Sequence, residues 1–399
     1  MQYLLSFFMM PNASQTKLYT KLTLLLASTI TIMSGAAVAP ALPKISEAFA
    51  YLPQAELLTK LILTLPSLLI AICSPFIGRF IDKHGRIRIF LFGIALYIVT
   101  GSAGFWLPGL TSILISRALL GVSIAINITT ATTLAGDYFD GEERKNFLGT
   151  QAAMMALGGT LFVGAAGLLA DISWRHPFLN YLIAIPVLFL CWRFLPEPTR
   201  PKKLENRARF KLSGDYPKEA WRIYLISFFG MAMFYIISVH HAYLIQEKGI
   251  EQSSIQSLGL ILCTIFSAIA SMQYSRVVRT NLGYFRIYAL AFFGMALFYF
   301  LAGMVSSVWL TILFTGLSGL GAGLIMPNGN TWLLQLAPPE KRGQFMGGMT
   351  TAIFLGQFAS PVLTQPMVRL TSLSGMHVIA AGLMLLLSVF FTLQKKPKS

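Results

Sequence analysis

Residues 61–88 read LILTLPSLLIAICSPFIGRFIDKHGRIR. The first eighteen, Leu61 to Gly78, carry no charge and are long enough for a helix to cross about 30 Å of hydrocarbon, whereas the ten that follow hold four Lys or Arg and one acid. The apolar run is continuous and does not alternate, which excludes a lipid-facing barrel strand. Hydrocarbon also requires every backbone group to bond within its own segment, so the run is a helix.

The same pattern recurs outward in both directions. Leu22 to Pro43, Ala118 to Gly136, Asn146 to Ala170, Ile223 to Gln246, Gln252 to Ser275, Gly343 to Val368 and Leu370 to Gln394 are charge-free runs of spanning length. Ile89 to Ser116 and Pro177 to Trp192 each hold one more, and Ile287 to Pro339 is long enough for two, divided near Ser306 and Ser307. Twelve spans are therefore expected in an all-α, polytopic membrane protein. Composition agrees: 55% of residues are apolar and 12% charged, with a mean hydropathy of +0.66. Too few polar side chains exist to cover a soluble globule.

The formal charge of +16 is a topology signal. With the N-terminus inside, 25 of the 31 basic residues fall in inner segments. Five, Lys44, Lys60, Arg175, Lys248 and Arg369, fall outside, and Arg117 lies within a span. The positive-inside rule then puts both termini in the cytoplasm, and no nucleic-acid partner is implied. The three cysteines fall within spans at no ligand spacing, so neither a disulfide nor a metal site is expected. Ala37-Val38-Ala39 mimics a cleavage site, but the first helix reads as uncleaved.

Between Arg193 and Arg222 the apolar pattern gives way to a stretch with nine basic residues. Three segments are expected: a six-helix bundle over 1–192, a cytoplasmic linker over 193–222 and a second bundle over 223–399. A shift of 198 residues aligns the halves. Glu142, Arg144, Phe147 and Gly149 fall on Glu340, Arg342, Phe345 and Gly347, Gly85 falls on Gly283, Gly121 on Gly319 and Gly158 on Gly356. Such a parallel repeat implies a pseudo-twofold axis along the membrane normal, with a cavity between the halves.

The loop after the second span, Gly78-Arg79-Phe80-Ile81-Asp82-Lys83-His84-Gly85-Arg86, resembles the G-x-x-x-D-[RK]-x-G-[RK] signature of the major facilitator superfamily at Gly78, Asp82, Lys83, Gly85 and Arg86. The resemblance implies secondary transport by alternating access. It also implies that Asp82 faces the cytoplasmic start of the eleventh helix and locks the outward-facing state, a carboxylate set against a positive helix end. In the second half Thr280 and Tyr284 replace the acid and the basic residue, so that gate is weaker. Arg117-x-x-x-Gly121 resembles a motif of the family's drug–proton antiporters. The fifth span carries Gly158, Gly159, Gly164 and Gly167 without the proline of the antiporter element, a departure from that branch.

Arg117 lies eight residues beyond Gly109, about 12 Å deep at 1.5 Å per residue, and is either a functional cation or a brace on backbone carbonyls. The other polar groups within spans are Asn127, His240, His241, Asn328 and Asn330, while no Asp or Glu lies mid-span. Spans one, four, seven and ten line the cavity in the family. The resemblance therefore implies a neutral-to-positive cavity for an anionic or neutral organic solute. His240 and His241 point about 100° apart, so at most one of them faces the cavity as a proton carrier. Met326-Pro327-Asn328 is expected to break the tenth helix.

These readings lead to a monomeric, cofactor-free, proton-driven exporter of a small organic solute in a bacterial inner membrane. An importer or facilitator of an organic anion or siderophore-type compound, and a non-transporting receptor or scaffold, remain as alternatives. The sequence holds no catalytic constellation and no phosphate-binding loop.

Overall fold

A computed structural model describes residues 13–33, 37–198, 217–280, 282–338 and 341–394, with the side chains at 13–16, 32, 33, 79, 82 and 279 outside the description. Every regular element among the described residues is helical. Twelve long helices follow one another among these residues: α1 Ala13–Met33, α2 Ala55–His84, α3 Arg86–Trp106, α4 Leu110–Tyr138, α5 Gly141–Ile172, α6 His176–Phe194, α7 Lys218–Glu247, α8 Ser253–Arg279, α9 Tyr284–Met304, α10 Val308–Leu336, α11 Arg342–Leu370 and α12 Leu373–Leu393. Helix α6 opens with 3₁₀ turns over His176–Ile183. Among the described residues, all but α1 and α11 are long and apolar enough to cross a membrane. Those two are interrupted by Ser, Thr and Gln, and both border the central cavity described below.

The twelve helices form two six-helix bundles related by the 198-residue repeat. Both ends of α3 and α9, and both ends of α4 and α10, are separated by that interval, as are the C-terminal ends of α5 and α11. The packing repeats too: α2 lies on α4 as α8 lies on α10, α1 on α5 as α7 on α11, and α3 on α6 as α9 on α12. Lipid gives helices no hydrophobic reason to associate, so small residues must let backbones approach closely. Gly121 presses on α2, where an added Cβ would fall 2.5 Å from the Pro66 carbonyl oxygen. Gly319 does the same on α8, where a Cβ would run into the carbonyl of Cys263. A Cβ at Gly158 would strike Thr29, and one at Gly356 the Phe228 carbonyl.

Three expectations need correction. First, the span over Leu22 to Pro43 is not one helix: α1 ends at Met33, and a 3₁₀ turn Ala39–Ala41 leads into a short helix Leu42–Ala48 rich in buried apolar side chains. Second, α2 starts at Ala55, so Lys60 is inside the helix and fully buried, not in an outer loop. Third, Pro327 does not break α10. A proline removes the hydrogen bond to the carbonyl four residues back, here Gly323. Ser271 Oγ of α8 donates to that carbonyl at 2.6 Å, so the helix continues with the missing bond replaced.

Candidate functional site

The bundles meet along two seams, α2 against α11 and α5 against α8. Between them lies a cavity of about 500 Å³ lined from both halves. Its wall is mostly apolar, with Met155, Met231, Phe234, Met326 and Phe354 among the larger side chains, and it has a sparse set of hydroxyls and one amide: Thr31, Ser67, Tyr235, Ser238, Thr264, Thr350 and Gln357. Among the described residues, no Asp, Glu, Lys, Arg or His lines it. Helices α1, α4, α7 and α10 contribute, and α2, α5, α8 and α11 contribute more.

At one end, where α2 and α8 begin, polar contacts tie the halves together. Ser67 Oγ donates to Gln357 Oε1 at 2.9 Å, directly on the cavity wall. Farther out, buried Lys60 Nζ donates to Gln365 Oε1 at 2.7 Å and pairs with Glu56, while the ammonium lies 4.8 Å from the Tyr243 ring centroid. Tyr243 OH donates to the Leu42 carbonyl at 3.1 Å, and Gln246 bonds Glu47. On the second seam, Asp171 accepts from the Ser253 and Ser254 backbone N–H groups at 2.6 and 3.3 Å, a carboxylate on the positive start of α8. At the opposite end, which carries the turn at Gly85, the ion pairs Arg86–Asp137 and Lys145–Glu142 lie within the first half. Phe76 and Phe80 of α2 and Met272 of α8 are exposed there. The polar ties described between the halves thus gather toward the Lys60 end of the cavity.

The polar residues expected in the cavity lie elsewhere. Arg117 is buried inside the first bundle: its Nη2 donates to the Thr100 and Gly101 carbonyls of α3 at 2.5 and 2.6 Å, and its guanidinium sits 5.0 and 5.2 Å from the rings of Phe178 and Tyr181 on α6. Asn127 is buried against Gly93 of α3. Asn328 bonds the Tyr284 carbonyl and the Tyr274 hydroxyl within the second bundle, and Asn330 is half-buried on the same helix. His240 faces α11. The Thr364 hydroxyl donates to the Ser360 carbonyl at 2.7 Å, so it accepts from His240 Nε2, also at 2.7 Å. His241 points the other way, onto Gly259 of α8, and neither of its ring nitrogens has a hydrogen-bond partner among the described residues.

In the loop, Gly85 has φ of +92°, a conformation that selects glycine. Arg86 is buried and pairs with Asp137 at the end of α4. Glu197, which sequence reading passes over as linker, accepts from the backbone N–H groups of Arg86 and Ile87 at 2.7 and 2.9 Å, capping α3. Lys83 is exposed and Gly78 has open space around it. The Asp82 side chain and Glu340 lie outside the described residues. Exposed Glu142 pairs with Lys145, Arg144 lies over Gly136, and Arg342 is exposed.

Lys60 is the site residue that sequence reading missed. A cation at the edge of an apolar run reads as a loop residue, and only the helix start at Ala55, five residues earlier, places it inside.

The model of the Major Facilitator Superfamily matches residues 24–281 and 223–399. The multi-drug resistance efflux pump PmrA of Streptococcus pneumoniae is 26% identical over 304 residues, 73% of this chain and 74% of that protein. The cephamycin export protein CmcT of Amycolatopsis lactamdurans is 34% identical over 140 residues, which is 34% of this chain but only 28% of that protein. Among solved structures, a bacterial homolog of the human lysosomal transporter Spinster, in an inward-facing and unoccupied conformation, superposes with a TM-score of 0.73 at 14% identity over 96% of each chain. That likeness concerns the fold alone.

Proposed function

The chain belongs to the Major Facilitator Superfamily, and on that premise we propose that it exports a small, uncharged, amphipathic organic solute by alternating access in exchange for protons. The observation that carries this reading is the cavity of about 500 Å³, built by both bundles and walled among the described residues by methionines, aromatics and hydroxyls without a charged group. A mostly apolar wall with a few placed polar groups suits an organic solute. Without a carboxylate it offers a cation nothing to pair with. The efflux and export roles of PmrA and CmcT support the outward direction over the importer reading and over a non-transporting receptor.

In this proposal the Gly85 end is cytoplasmic, following the basic-residue count, with both termini inside a bacterial inner membrane. On this reading the clasped Lys60 end faces outward and the state is inward-facing, with bundles over 1–192 and 223–399 and the linker between. Asp82 is the gating acid that closes the cytoplasmic end in the opposite state, and His240, hydrogen-bonded at the α7–α11 contact, is the candidate proton carrier. Arg117 is assigned the bracing role, since its guanidinium is committed to α3 and α6.

Proteoliposomes holding a pH gradient test this reading when neutral amphipathic solutes, organic anions and cationic dyes are added in turn. Proton movement on addition of the neutral solutes is expected. A response confined to cationic dyes would overturn the substrate class, and solute flux without proton movement would remove the coupling.

A further inference from the structure

A second cavity, of about 270 Å³, lies outside the transport path on the flank of the second bundle. Its floor is Ile226, Phe285, Phe292 and Phe391, all buried; its two rims are Leu225 and Phe229 of α7 and Phe390 of α12, all exposed at 40% or more. The lining runs from Arg222 to Phe229 on α7, from Phe285 to Phe292 on α9 and from Leu387 to Gln394 on α12. Each stretch covers seven steps, about 10 Å at 1.5 Å per residue. The slot therefore runs along the helix axes, starting at the membrane edge where α7 begins and α12 ends. Among the described residues its only polar lining groups, Arg222 and Gln394, both stand at that edge.

The first bundle is closed at the equivalent place, and the reason is visible in the repeat. There Thr20 Oγ1 of α1 donates to the Phe194 carbonyl of α6 at 3.0 Å and Tyr19 stacks on the Phe194 ring at 5.0 Å, joining the two helices. The corresponding residues of α7 are Lys218 and Pro217, which supply neither contact. Lys218, Trp221 and Arg222 are exposed at the slot's mouth instead, the mixture of basic and aromatic side chains that sits at headgroup level. Among the described residues Arg222 forms no ion pair.

We propose that this slot holds one acyl chain of an anionic phospholipid, with the headgroup phosphate on Arg222. The aromatic floor takes the chain, and the guanidinium matches a phosphate in charge and in hydrogen-bond geometry. On the orientation proposed above, the bound lipid belongs to the cytoplasmic leaflet. The inference concerns a surface separate from the solute cavity and stands whichever solute is carried.

The test is native mass spectrometry of the purified full chain, equilibrated with equal amounts of phosphatidylglycerol and phosphatidylcholine of identical chains. One retained phosphatidylglycerol is expected, favoured about fivefold, the effect of one basic residue beside an anionic headgroup. Arg222→Gln, an exposed position whose replacement leaves the fold undisturbed, should bring the two lipids to equal retention. Leu387→Trp, which fills the slot, should release both while the unfolding midpoint stays in place. Equal retention by the unmodified protein, or an undiminished preference in Arg222→Gln, would overturn the proposal. So would displacement of the phospholipid by equimolar oleate, which would make the occupant a free fatty acid.

Discussion

Arg117 and Lys60 are both fully buried cations, yet their surroundings give them different tasks. Arg117 fills a slot between α3 and α6 inside one bundle, with its planar guanidinium within about 5 Å of two rings of α6. Arg117→Ala should cost about 2–4 kcal/mol of stability, because it opens a void and removes the stacking on both rings. Arg117→Lys should recover little of it, because a point charge cannot stack or reach both carbonyls. Thermal unfolding in detergent measures both, and transport per folded molecule should persist in Arg117→Lys; a stable Arg117→Ala protein that does not transport would return the residue to the solute path. Lys60 bridges the bundles, so its removal should act on the conformational equilibrium. Glu56 is 40% exposed and can rehydrate, which reduces the cost of breaking the pair to roughly 1 kcal/mol, about a fivefold shift in population. In a Cys73→Ser background carrying Ser257→Cys, a thiol buried beneath Gly167, Lys60→Met should speed labelling several-fold. Equal rates with and without Lys60→Met would show that Lys60 does not hold its end closed.

At the level of helices, the glycines repeated at 198-residue spacing carry the packing. Gly121→Ala and Gly319→Ala each drive a methyl group into a backbone carbonyl and should lower the unfolding midpoint by several degrees, whereas Gly149→Ala, with nothing within 4 Å, should not. The Ser271–Gly323 hydrogen bond supplies a sharper check. Ser271→Ala should cost about 0.6 kcal/mol, typical of an interhelical bond in lipid. In a Pro327→Ala background that cost should vanish, because the restored N–H at 327 serves the same carbonyl; a double-mutant cycle showing additive effects would reject that account. These elements also mark what a sequence discloses. Twelve helices and the repeat were legible because uncharged runs and paired glycines have few other uses in a chain this apolar. Helix starts were less so: Lys60 interrupts an apolar run that the helix ignores, and the turn at Ala39–Ala41 lies inside a run with no charge to mark it. The cavity wall was illegible. Met155, Phe234 and Ser238 are indistinguishable in sequence from residues that pack or face lipid, while conspicuous Arg117, Asn127 and Asn328 are absent from the wall. Proline at 327 announced a break that a serine on another helix prevents.

Across the whole molecule, the polar ties between the halves form a clasp at the Lys60 end. Opening the Lys60 end requires release of the Lys60–Gln365, Tyr243–Leu42, Gln246–Glu47 and Asp171–Ser253 contacts. Each contributes only about 1 kcal/mol net once water replaces it, so the two states can differ by the few kcal/mol that keep a minor conformation populated. A solute then needs only modest differential affinity to turn the cycle, and its selection falls to the cavity wall. Gln357 is the position where that wall can be given a charge with least disturbance, since glutamate keeps its shape and Ser67 Oγ would donate to the carboxylate as it does to the amide. Gln357→Glu should therefore raise transport of monovalent cationic dyes relative to neutral solutes by about tenfold, one well-placed charge partner in a cavity otherwise without one. The same proteoliposomes report both fluxes, so a loss of folded protein would lower them together and leave the ratio unchanged. If the ratio stays unchanged while both fluxes remain at their unmodified level, Gln357 does not face the solute, and the cavity between the bundles is not where selection occurs.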